Sequence, residues 1–402
     1  MFKSLNFKVI LFGFIFTFFS SFGQSFFLGL FNSSIRETLS ISHGQFGSIY
    51  ASATLLSSFI LVWIGKKIDD VNILKFASYV IILLAISCFL FSKITSVIFL
   101  FFSIFLMRLS GQGLMSHTAT TTISRYFENS RGKALSTTWL GLSLAEFILP
   151  LLIVFLLTIV EWRNIWLSIS ILVILTLPLA TFFLVKSVNL DSREKSQNEN
   201  KKIKKIKQWK RIEVLKDYRF YIICLNMLAM PWIATGTFVY QSFISSSKGW
   251  GPYVIAQSFM VYSILSVITL FFSGFLIDKF SSRKLLIYMN IPLFFSAYVL
   301  FYFNNPISSF IFLGLIGVSN GLANVLGSST WAEIYGVQYI GSIKALTTAL
   351  MVFSTAFGTA FFGILIDNSF SIEQIALVSG SYILIAITLL FLIKNKLNPK
   401  YL

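Results

Sequence analysis

Charge is scarce in this 402-residue chain: 12% of residues are Asp, Glu, Lys or Arg, 56% are hydrophobic, and the mean hydropathy is +0.81. Soluble domains carry about 25% charged residues, so the composition excludes an ordinary water-soluble enzyme or binding module. Cysteine is nearly absent. Cys88 and Cys224 are the only two, and both fall within apolar stretches, which excludes a disulfide framework. Histidine also numbers two, His43 and His117, and no group of His, Cys and carboxylates has metal-ligand spacing, so neither a metal nor another cofactor is expected. The chain has no Gly-Lys-Ser loop that would cradle a nucleotide phosphate, which argues against an ATP-driven pump. A net charge of +17 would suit nucleic acid only if the cations gathered on a soluble domain with aromatic stacking partners, and they do not.

What the chain has instead is long apolar runs. About 20 mainly apolar residues cross the hydrocarbon core as a helix, and runs of that length recur near 8–31, 45–65, 73–92, 96–122, 133–159, 164–186, 218–244, 253–277, 283–303, 307–330, 342–366 and 373–393. They are unbroken rather than alternating, as barrel strands would be. Lys3 and Lys8 give the first run the look of a signal peptide, but Val9 to Phe31 is too long for one, so it is read as the first of twelve helices. The 45 phenylalanines are lipid-facing and core filler.

Basic residues sort by side. With both termini cytoplasmic, Lys66, Lys67, Lys75, Arg125, Arg131, Lys133, Lys279, Arg283, Lys284, Lys344 and the 186–219 cluster lie inside, and only Arg36, Lys93, Arg163 and Lys248 lie outside. That bias follows the positive-inside rule through short loops, and places the protein as a multi-pass chain in a cell's inner (plasma) membrane. Residues 189–217 form the one long polar segment, dividing a half at 1–188 from a half at 218–402. Its lysines are expected to lie near anionic lipid, and Ile203, Ile206 and Trp209 would suit an amphipathic helix on the membrane surface.

The halves repeat. Gly65-Lys66-Lys67-Ile68-Asp69-Asp70 follows the second run, and Gly274 through Asp278 to Arg283-Lys284 follows the eighth. Gly65 and Gly274, like Asp69 and Asp278, stand 209 residues apart, and Lys133-Ala134-Leu135 recurs at Lys344-Ala345-Leu346, 211 residues on. A glycine-aspartate-basic loop after the second and eighth spans resembles the signature of the major facilitator superfamily, and the resemblance covers the whole chain. It implies an all-α membrane protein of two six-helix parallel repeats that rock around a midplane site to carry a solute. The same resemblance makes Gly65, Asp69, Gly274, Asp278 and Arg283 gate residues, the glycines allowing close approach of helix ends. The first copy departs from the pattern at Val71-Asn72. Ser124 to Leu135, then Gly141, Pro150 and Glu161-Trp162-Arg163, resembles the monocarboxylate and oxalate/formate porters.

Two ionisable residues fall at membrane depth, where each is a functional candidate by default: Arg108 in the fourth run and Glu146 in the fifth. Arg108 opens Arg108-Leu109-Ser110-Gly111-Gln112-Gly113, which resembles the family's fourth-span arginine motif. A guanidinium suits a carboxylate, so Arg108 is a substrate anchor for a small organic anion, or else a permanent partner of Glu146, or part of a pair that opens when Glu146 takes a co-transported proton. In the family the first, fourth, seventh and tenth spans line the cavity, which adds Gln24, Gln112, Tyr240, Asn320 and Asn324 as substrate-binding candidates. His117 is open to a proton-relay or an interface role. The fifth span lacks the Gly-Pro-x-x-Gly-Gly of drug/proton antiporters, which weakens but leaves open export of amphipathic compounds. Uptake of a neutral polar solute through the amides is the third alternative. The expected partners are the small-molecule substrate, a co-transported proton and membrane lipid, with the chain working as a monomer.

Overall fold

The computed structural model describes residues 4–127, 131–186 and 207–399, and leaves the side chains of 4–6, 69, 131, 278 and 328 undescribed. Among the described residues, eleven helices are long and apolar enough to cross a membrane: His43–Lys66, Ile73–Ser92, Val97–Tyr126, Gly132–Leu157, Trp162–Val185, Tyr218–Val239, Pro252–Ile277, Ser282–Tyr302, Pro306–Tyr335, Ile340–Asp367 and Ile372–Leu392. The bent pair Phe7–Gly23 and Ser25–Leu39, turning by 43°, passes the same test when taken together; counted as one broken span it is the first of twelve, and the helices are numbered here as spans 1 to 12 on that basis.

Polar residues set where the helices begin. Ser42 and Gln45 close a reciprocal capping box at span 2, and Ser371 and Gln374 close another at span 12. Asn305 accepts the Ser308 N–H at 2.9 Å ahead of Pro306, and Ser96 accepts that of Phe99 at 3.3 Å. These boundaries carry the repeat. The caps Ser42 and Gly251, and Ser96 and Asn305, are 209 residues apart, and Glu161 and Ser371 are 210 apart.

The chain forms two compact units, Met1–Asn198 and Glu199–Leu402. In the first, span 1 packs on span 5, span 2 on span 4 and span 3 on span 6; in the second the same pairs recur as 7 on 11, 8 on 10 and 9 on 12. Small residues let the backbones meet: Gly141 of span 5 lies against the Phe14 carbonyl of span 1, and Gly358 of span 11 against that of Trp232 in span 7. Phenylalanine divides as expected, with Phe12, Phe16 and Phe27 fully buried while Phe59, Phe183 and Phe275 are exposed by 66%, 69% and 74%. So much exposed apolar surface would aggregate in water and belongs in lipid.

One expectation is corrected. Ile203 and Ile206 lie outside the described residues, but Trp209 is buried in the core of the second unit rather than lying on a membrane surface. Its ring meets Tyr335 edge-on with centroids 5.4 Å apart, its backbone N–H donates to the Tyr335 carbonyl at 3.0 Å, and Gln208 accepts from the Gln338 N–H at 2.9 Å. Arg219, at the start of span 7, pairs with Asp217 at 2.7 Å and donates to the carbonyls of Lys396 and Asn398. The end of the linker is therefore fastened to spans 7 and 10, and Arg219 ties span 7 to the tail after span 12. The Lys210 backbone N–H and the Lys207 ammonium, 2.8 and 2.9 Å from Glu213, hold that carboxyl below its usual range.

Candidate functional site

Arg108 opens an eight-residue π-helical stretch, Arg108–Met115, inside span 4. Such stretches are rare and gather at functional sites, because the wider turn leaves backbone groups out of the α-helical ladder. Facing it, span 1 breaks at Gln24, whose backbone is extended (φ −83°, ψ 153°). The two irregularities touch. A Cβ on Gly23 would strike the Met107 carbonyl and the Gln112 N–H, and one on Gly111 would lie 2.7 Å from the Gly23 nitrogen, so only glycine allows this approach.

The break frees the Gly23 carbonyl, and Arg108 takes it: Nη1 donates at 3.0 Å, with a longer bond of 3.4 Å to Ser25 Oγ. Tyr50 from span 2 donates to the same Ser25 Oγ at 3.1 Å, and its ring lies 5.3 Å beneath the guanidinium carbon. Arg108 is 3% exposed, and its Nε has no hydrogen-bond partner. Glu146 is likewise buried, at 8% exposed. Neither residue forms an ion pair among the described residues, so the permanent Arg108–Glu146 pair held open by the sequence does not form. The result is a cation in low dielectric held by neutral groups. Gln24, next in sequence to Gly23, and Gln112, four residues after Arg108, are half-buried and make no side-chain hydrogen bond to another described residue.

The remaining candidates lie in the second unit. Tyr240 is fully buried, stacked on Phe362, and donates to the Thr359 carbonyl at 2.9 Å, a bond between spans. Asn320 donates to Ser266 Oγ at 2.9 Å, tying span 10 to span 8. Asn324, one turn on, is exposed. Asn226, a further seventh-span amide expected to line the cavity, instead meets Asn290, which the sequence did not single out: Asn290 donates to the Asn226 carbonyl at 2.6 Å and to its side-chain oxygen at 3.2 Å.

At the loops after spans 2 and 8, the side chains of Asp69 and Asp278 lie outside the described residues. The Gly65 carbonyl accepts a 3.0 Å bond from His117 Nε2, and a Cβ there would crowd that ring at 3.3 Å, so His117 joins span 4 to the end of span 2. At Gly274 no described residue lies within 4 Å of a Cβ. Arg283 pairs with Glu333 at 3.0 Å, and the other Glu333 oxygen accepts from the Ser282 N–H and hydroxyl at 2.9 and 2.6 Å. Glu333 was missed. The repeat could have found it: it stands 208 residues after Arg125, whose guanidinium donates to the Ile68 carbonyl at 3.2 Å in the first copy of the loop. In each unit the end of the fourth helix holds the loop after the second, with the charge reversed between units.

Twelve crossings in two repeated sets, with helix breaks and a buried cation at mid-span, define a multi-pass transporter. The chain belongs to the Major Facilitator Superfamily, whose model matches residues 13–256 and 222–401; it is a secondary transporter of small molecules and not an enzyme. Solved structures agree on the fold. The chain is similar to a bacterial homologue of the human lysosomal transporter Spinster in an inward-facing, unoccupied form, with 14% identity, TM-score 0.72, and 99% and 98% of the two chains covered. It is similar also to the nucleoside transporter NupG, with 14% identity, TM-score 0.72, and 97% and 99% covered. No curated protein sequence matches significantly.

Proposed function

We propose that this transporter carries a small organic anion of the monocarboxylate type, with Arg108 as the anchor and Glu146 as the carrier of a co-transported proton. Arg108 carries the reading: a buried arginine that meets no carboxylate among the described residues and keeps Nε unbonded is set to receive one. Ionised groups are buried only when paired or richly hydrogen-bonded. A carboxylate arriving beside Gln24 and Gln112 would complete the shell, with the amides donating to its second oxygen. Glu146 is buried and forms no ion pair among the described residues. Carboxyls at membrane depth serve as proton carriers in transporters, which makes Glu146 the candidate for the co-transported proton. The likeness of Ser124 to Leu135 and of Glu161-Trp162-Arg163 to the monocarboxylate and oxalate/formate porters supports the same branch. The inside-positive charge pattern supports an inner-membrane location with cytoplasmic termini.

Thermal stabilisation of the purified protein by matched pairs of small carboxylates and their carboxamides tests the binding half of this reading. A carboxylate is expected to raise the melting temperature where its amide does not, and the rise to vanish in Arg108→Gln. Equal stabilisation by acid and amide, or by carboxylates in both proteins, would put the anchor elsewhere.

A further inference from the structure

At the opposite end of the first unit from Gly65, a polar cleft of about 170 Å³ is lined by Ser92, Lys93, Thr95, Glu161, Arg163, Asn164 and Leu167. It lies where span 3 ends, span 4 begins and span 6 begins, beside the exposed apolar side chains of Phe89, Ile98 and Ile159, which sets it at the level of the lipid headgroups. Two of the four cations assigned to the far side, Lys93 and Arg163, meet here against one carboxylate. Glu161 is engaged by Arg163 at 3.3 Å, while the second Arg163 amino group donates to the Ile94 carbonyl at 2.8 Å. Lys93 has no ion pair among the described residues, and the Thr95 hydroxyl and Asn164 amide make no side-chain hydrogen bond to one.

The repeat shows what this cleft lacks. Arg163 and Glu373 hold the same place in their helices, 210 residues apart, and Thr95 and Asn304 stand 209 apart at the matching loop. In the second unit Glu373 and Asn304 converge on Lys248, whose fully buried ammonium lies 2.7 Å from each. Lys248 ends the helix after span 7; the matching residue after span 1, 208 positions earlier, is Ser40, which does not reach the cleft. One unit thus fills its cleft with its own cation. The other has exchanged the carboxylate for arginine, gained Lys93 and left the space unfilled.

We propose that the first unit's cleft binds a phosphate group from outside the chain, that of a phospholipid headgroup, with Lys93, Thr95 and Asn164 on the phosphate and Leu167 toward the acyl chains. An anion there answers the net positive charge as Lys248 answers Glu373 across the repeat. Native mass spectrometry of the detergent-purified protein titrated with phosphatidylethanolamine or phosphatidylglycerol tests it, alongside ³¹P relaxation of inorganic phosphate. The native chain is expected to retain one more lipid than Lys93→Gln, with about tenfold weaker binding in the variant. Asn164→Leu, at an exposed position, serves if Lys93→Gln does not fold, and the same loss is expected. Inorganic phosphate that binds the native chain and displaces the lipid would keep the phosphate site and overturn the lipid as its source. Equal lipid retention by native and variant chains, with no phosphate binding by either, would overturn the proposal.

Discussion

At the scale of single residues, Arg108 and Gly23 depend on each other. Gly23 supplies a carbonyl to the guanidinium and backbone room to Gly111. Gly23→Ala would push the break away from the π-helical stretch, and is expected to abolish transport while leaving a protein that still inserts, checked by uptake against surface expression. Gln112→Leu removes only an unbonded amide, so stability should stay within about 0.5 kcal/mol of native while substrate affinity falls about tenfold, the cost of one lost bond to a charged group. Glu146→Gln is expected to lose accumulation driven by a proton gradient while keeping exchange of labelled for unlabelled substrate, because the amide mimics the protonated acid. Accumulation equal to native would remove Glu146 from the coupling step. Both ionisable residues were legible in the sequence because charge at membrane depth is costly and stands out. Their separation was not, since two residues in different helices show no distance in a string of letters.

Among the elements, helix starts were legible and breaks were not. Ser96, Asn305, Ser371 and the residues around them spell caps that recur at the period of the repeat. The break at Gln24 has no proline to announce it, and the π-helical stretch packs against spans 1, 2 and 3, contacts that a sequence does not display. The linker shows the same limit. Trp209 reads as an interfacial aromatic, yet its partners Tyr335 and Trp331 come from span 10, more than 120 residues on. Trp209→Ala should therefore cost the second unit about 3 kcal/mol, as for other large aromatics removed from a core, seen as a lower melting temperature. Glu333→Gln, breaking the partly buried pair with Arg283, should cost about 1 kcal/mol and raise the rate at which a cysteine placed at Ser282 is modified by a thiol reagent.

For the molecule as a whole, the repeat was the most legible feature, because a spacing of 208 to 211 residues ties loops, caps and helix pairs together. What the repeat hides is where its copies differ. Arg125 faces Ile68 where Glu333 faces Arg283; Lys248 fills one cleft where Lys93 and Arg163 leave the other open; Arg108 has no charged counterpart among the polar residues of span 10. The first unit thus carries the charge chemistry at mid-span, and the second carries amides that bond helix to helix. Uptake of radiolabelled small carboxylates into proteoliposomes, with and without an imposed proton gradient, measures the central claim directly. The expected result is saturable uptake by the native chain that rises with an inward proton gradient and falls by about 100-fold in Arg108→Gln. Carboxylate uptake undiminished in Arg108→Gln, or a folded native chain that carries no carboxylate while it carries neutral or amphipathic solutes, would contradict it.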